Sequence, residues 1–224
     1  MGEHAADDSA PGKTRGRGRS SLHRLGKTED MTDLEDPKMM LRRYLQDVRE
    51  ALLWKLDGLS ERELRLPRTP TGTNLLGIVK HCLNVEVGYF GPTFGRTWPT
   101  PAEIVSEATY EVDPQADWYA TEDETAAGIV ALYRRVWTFA DETIRSLPLD
   151  APGRVGWWRQ GHQDVTLQRI IAHVTADLAR HAGHADILRE QIDGAVGRRD
   201  AGDNVPEIDW AAYTARLTLL AERY

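Results

Sequence analysis

Four side chains able to bind a metal ion or carry a proton recur along one stretch of the chain: His173, Asp177 and His181 at steps of four, and His184 three residues further on. On a helix, with His173 at zero, they fall at about 0°, 40°, 80° and 20°, one narrow stripe. Leu167, Ile170, Ile171, Val174, Leu178, Ala185, Leu188 and Ile192 fall between about 60° and 160° on the same wheel, so the polar stripe overlaps the edge that faces the core. A carboxylate and an imidazole buried there without partners cost several kcal/mol, so something must satisfy them. A divalent cation is one answer, because an i, i+4 pair presents two donor atoms to one point. His81, on a separate apolar segment, offers a third donor. The other answer is an ion-paired helix edge, with Asp177 matched by Arg180 or His181, and His81 a hydrogen-bonded core histidine.

The composition narrows the chemistry. The 224 residues include one cysteine, Cys82, and seven histidines, so an internal disulfide framework and any multi-cysteine zinc site are excluded. A chain of this length buries a core without needing a metal for stability. The formal charge of −7 is uneven: residues 1–30 hold six Lys or Arg against five Asp or Glu, and the remainder 22 against 30. The basic run KTRGRGRSSLHRLGK, Lys13 to Lys27, lacks aromatic residues to stack on bases, and the body is acidic, so no nucleic-acid partner is expected. Residues 1–33 are read as a disordered basic tail and 34–224 as the folded domain, with Met31 resembling a natural start. No apolar run is long enough for a membrane span or a secretory signal, so the expected location is cytoplasmic.

The elements that must carry these residues are helical. Leu41, Tyr44, Leu45, Val48, Leu52, Leu56 and Leu59 recur at three- and four-residue steps and predict a helix over 37–58. Ser60 and Glu63 have capping-box spacing for a short turn ended by Pro67 and Pro70. Thr73 can cap a helix over 74–90 that is apolar nearly all round, hence central. Residues 91–119 hold four prolines and read as a long connection. A box at Thr121 and Glu124 opens a third helix closed by Pro148, and a Gly- and Trp-rich loop leads to a fourth from about Asp164 to Ile192. A short helix follows Pro206, and no strand is expected. The fold class is all-α, a four-helix bundle with a long crossover between its second and third helices.

Two segments, LDGLSERELRLPRTPTGTNLLGIVKHCLNVEVGYFG and TLQRIIAHVTADLARHAGHADILREQIDG, together resemble the DinB-like superfamily, specifically the actinobacterial subgroup related to mycothiol-dependent enzymes. The resemblance covers about residues 36 to 195. It implies an up-down-down-up bundle and a divalent metal, zinc or nickel foremost, held by one His from the second helix and two ligands four apart on the last. Carried onto this sequence, those ligands are His81, Asp177 and His181. Asp177 stands where this branch usually has Glu, a reach shorter by about 1.3 to 1.5 Å, and His184 stands where the family commonly has Gln. His173 and His184 are therefore kept as further candidates for the metal sphere.

Three protein ligands with one carboxylate leave an open position, as in catalytic metal sites, where a bound thiol becomes the reactive thiolate. Cys82 reads as core filler, so the thiol must come from outside. The resemblance implies mycothiol, or a similar low-molecular-weight thiol, as co-substrate of an S-transferase acting on a small electrophile, and a homodimer. Trp157, Trp158, Arg159 and His162 precede the fourth helix and are candidates to clamp a sugar or carboxylate, or simply to cover the bundle end. Arg180, Asp186, Arg189 and Glu190 read as an ion-paired outer face. The competing function is a non-catalytic divalent-metal-binding stress-response bundle using the same three ligands.

Overall fold

A computed structural model describes residues 36–224; the expected tail lies outside these. The described chain is mostly helical, with seven α-helices and one short hairpin.

Each helix starts where a polar side chain occupies its orphan N–H groups. Asp36 accepts from Lys38 N to open α1, Pro37–Trp54, with Pro37 in the first turn. Ser60 and Glu63 form the anticipated box on α2, Glu61–Arg65. The central helix α3, Leu75–Phe90, is capped by Asn74, not Thr73: the Asn74 carboxamide oxygen accepts from Gly77 N at 2.7 Å. Helix α5, Ala126–Ser146, is capped by Thr125. The Thr121 and Glu124 pair does form, but four residues before that cap, with Glu124 accepting from the Thr121 backbone. The last long helix, α6, runs Leu167–Asp193 from the Thr166 cap to Gly194, whose φ of 77° ends it in the left-handed region.

Two expectations are corrected. Asp164–Thr166 is a strand, β2, paired antiparallel with β1, Pro152–Arg154, so α6 starts later than the periodicity suggested. Three residues per strand are too few for alternation to register in sequence. The 91–125 connection also has structure: tight turns at Pro92–Phe94 and Pro101–Glu103, then α4, Glu107–Val112. It is fastened to the helices by Asn84 Oδ1 accepting from Val105 N at 2.9 Å and by the Arg135–Glu103 ion pair at 2.8 Å.

Helix α3 packs on α5 and α6, and α1 on α6. Leu52, Leu76, Ile78, Val79, Tyr133, Val136, Ile171 and Val174 are fully buried among them. Arg49 is buried too, its guanidinium bound to the buried Glu86 carboxylate and, at 2.8 Å, to Asp141, while the Tyr133 hydroxyl donates to Glu86. The charges are tolerated because each has partners. Cys82 is buried as expected, and burial pushes its thiol well above the ordinary range. Arg189, expected outside, is buried and donates to Asp193 and to the carbonyls of Lys55 and Asp57, while Asp186 pairs with Lys55. Arg180 and Glu190 are exposed. A final helix, α7, Trp210–Ala221, buries none of its residues. Among the described residues no helix is long and apolar enough to cross a membrane.

Candidate metal centre

Helices α3 and α6 face each other, and this contact assembles the site. His81 comes from the middle of α3; Asp177 and His181, one turn apart, come from α6. One donor atom from each of the three lies within 4.8 Å of the other two. The shorter carboxylate of Asp177 therefore reaches the group. His173 and His184 are not part of it. His173 lies two turns before His181 and pairs through Nε2 with the Tyr89 hydroxyl at 3.0 Å. His184 is exposed, with its ring 5.5 Å from that of His181.

His181 is the least satisfied member of the cluster. It is buried, its Nδ1 has no hydrogen-bond partner among the described residues, and its Nε2 stands 3.6 Å from Asp177 Oδ1, too far for a good hydrogen bond. Burial, with the neighbouring His81, pushes its pKa down to about 4, so at neutral pH it is an uncharged imidazole with lone-pair capacity. Two imidazoles, a carboxylate and an orphaned buried nitrogen form a donor set that a divalent cation fits.

Spacing did not reveal the residues that surround His81. The connection after α4 brings Asp117 to 2.7 Å from His81 Nδ1, and the Trp118 ring stacks on the imidazole with centroids 4.0 Å apart. Both lie 36 or more residues from His81 in an irregular segment, where no periodicity marks them. The one visible signal was an Asp-Trp pair inside a proline-rich loop. Asn74, the α3 cap, holds this loop by donating to Trp118 O at 3.1 Å.

An open cavity of about 680 Å³ adjoins the cluster. His81, Asp177 and Asp117 line one part of it, with the α3 face through Asn84, Val85, Gly88 and Tyr89, the connection through Ile104 and Tyr110, and Trp157 and His173. Of the loop residues expected to clamp a ligand, Trp157 lines this space. Trp158 packs behind it, donating to the Tyr89 hydroxyl at 2.9 Å, and Arg159 and His162 are exposed and not among the lining residues. Among the described residues no Lys or Arg lines the cavity.

No curated protein matches the chain. The family model described as mycothiol S-transferase matches residues 40–194, which contain α1 from its second turn through α6, the whole three-residue cluster and its cavity, and the chain accordingly belongs to the mycothiol S-transferase family.

Proposed function

We propose that the protein is a metal-dependent S-transferase that joins a low-molecular-weight thiol of the mycothiol type to a small electrophile, with His81, Asp177 and His181 as the ligands of a divalent ion. The observation that carries this reading is the convergence of the three donors beside an open cavity. The family and the orphaned His181 nitrogen support it. In the same reading α1, α3, α5 and α6 form an up-down-down-up four-helix bundle, and the enzyme works in the cytoplasm as a homodimer.

A zinc or nickel ion held there supplies Lewis acidity, keeping a bound thiol as thiolate at neutral pH, where a free thiol is mostly protonated. The residues of the chain do the rest. His81 and His181 donate neutral nitrogen, and Asp177 offsets one positive charge, leaving a net charge near +1 with the ion in place. Cys82 cannot serve as nucleophile, because it is buried and its thiol is held protonated. Tyr89 and Trp157, with ring centroids 5.3 Å apart, offer an apolar and aromatic wall for the rest of the thiol. Among the described residues three carboxylates, Glu107, Asp117 and Asp177, and no Lys or Arg line the cavity, so an uncharged electrophile suits it better than an anionic one.

Elemental analysis tests the metal: the purified protein carries about one divalent ion per chain, and His81→Ala and His181→Ala lose it. Metal content unchanged in both variants would sink the reading. Cobalt substitution then separates the two functions, since an open catalytic site changes its visible spectrum when a thiol is added. A spectrum indifferent to thiols indicates the non-catalytic metal-binding bundle instead.

A further inference from the structure

The His81 imidazole is held on two sides by residues that are not themselves in the metal group. In its plane, Nδ1 stands 2.7 Å from Oδ2 of Asp117, a buried carboxylate. Across its face lies Trp118, nearly parallel at 18°. The Asp117 carboxylate accepts only, so in neutral His81 the shared hydrogen sits on Nδ1, and the lone pair is left on Nε2. The loop that delivers Asp117 is itself anchored: Trp118 N donates to Gln115 O at 2.8 Å, and Trp118 O accepts from the Asn74 side chain. Tyr110, half-buried beside the same carboxylate, has its hydroxyl pushed well above the ordinary range by burial and by Asp117.

We propose that Asp117 is a positioning residue for the metal centre, fixing His81 as the Nδ1–H tautomer with Nε2 presented as donor. The proposal rests on the metal reading above. A free imidazole rotates and exchanges between tautomers; here rotation is blocked by Trp118 and the tautomer is chosen by Asp117, so the ordering cost of the ligand is met before an ion arrives. Three residues that hold the ion and a fourth that holds one of them are spread over α3, α6 and the connection, which explains why a crossover of this length is bolted down so firmly.

Two measurements on the full chain test it. In the metal-free protein at about pH 8, where a histidine is neutral, nitrogen-15 spectra of the ring nitrogens are expected to show His81 protonated at Nδ1, and Asp117→Ala to return it to a tautomer mixture. Zinc affinity, read by competition with a chromogenic chelator, is expected to fall about 10- to 100-fold in Asp117→Ala. Asp117→Asn, which keeps an oxygen to accept from Nδ1–H, recovers the tautomer and much of the affinity, a rescue that a purely structural loop staple does not predict. An Nε2–H tautomer in the parent, or parental zinc affinity in Asp117→Ala, overturns the proposal. If Asp117→Ala fails to fold, the parental tautomer and the zinc affinity of Asp117→Asn decide it: a parent protonated at Nδ1 and an Asn variant within about 10-fold of the parental affinity sustain it, and a larger loss in the Asn variant overturns it. A parent that takes up no zinc while showing the Nδ1–H tautomer overturns the metal reading and leaves the Asp117–His81 orientation standing.

Discussion

His181 is the residue whose surroundings most constrain the site. Its burial, with the neighbouring His81, makes the protonated form unfavourable, and its pKa of about 4 lies well below that of an unfolded histidine. The sign follows from linkage: between about pH 6.5 and 4 the unfolded chain binds a proton that the folded chain refuses, so stability rises with pH in that window and is lost as pH falls through it. In the metal-free protein, thermal melts are expected to show a lower melting temperature at pH 5 than at pH 7, and His181→Gln is expected to flatten that dependence. An equally steep profile in the variant would assign it to other groups. Added metal shifts the picture in the same direction, since protons and the ion compete for the imidazoles and acidification releases the metal.

At the level of elements, the site depends on how closely α3 approaches the connection. Gly77 makes that approach: a Cβ there would sit 1.8 Å from Trp118 O, so any side chain forces the loop outward. Displacing Trp118 moves its neighbour Asp117 and the face of His81 together. Gly77→Ala, a change that favours an exposed helix by up to about 1 kcal/mol, is here expected to destabilise the fold and to weaken zinc binding without touching any ligand. Urea unfolding and chelator competition check the two effects, and a Gly77→Ala protein with parental values for both would show that the loop yields freely. Helix α2 plays a matching role for α5, with Glu61 accepting from Ala126 N at 2.7 Å and Arg65 donating to the carbonyls of Ala120 and Thr121.

For the molecule as a whole, the core and the candidate metal cluster are separate constructions. The buried Leu, Ile and Val side chains of α1, α3, α5 and α6, together with the Arg49–Glu86–Asp141 network, hold the helices, while the cluster sits at the rim of a cavity between α3, α6 and the connection. Removing the proposed ion is therefore expected to cost the proposed activity more than folding, with the metal-free chain retaining its helical circular dichroism. Exposed Trp210, Tyr213, Leu217 and Leu220 run along one side of α7, and the proposed homodimer predicts a solution mass about twice the 25.2 kDa of one chain. Light scattering measures it, and a monomer mass across the micromolar range would remove the dimer from the proposal.

The sequence by itself determined the helices that matter and the donors they carry. Spacing of three and four placed apolar residues on one side of α6 and nearly all round α3, and the same periodicity put His173, Asp177, His181 and His184 on one stripe, because a helix converts residue number directly into direction. It could not choose among those histidines. That choice was made by the packing of α3 on α6, which brings His81 to Asp177 and His181, turns His173 toward Tyr89 and leaves His184 in water. Thr166 as the α6 cap and the short hairpin before it escaped the pattern because three-residue strands carry too little alternation. Asp117 and Trp118 were illegible for a deeper reason: an irregular segment has no period, so where its side chains arrive is decided only by the long-range contacts of Asn74, Gly77 and Asn84 that fold it back onto the helix.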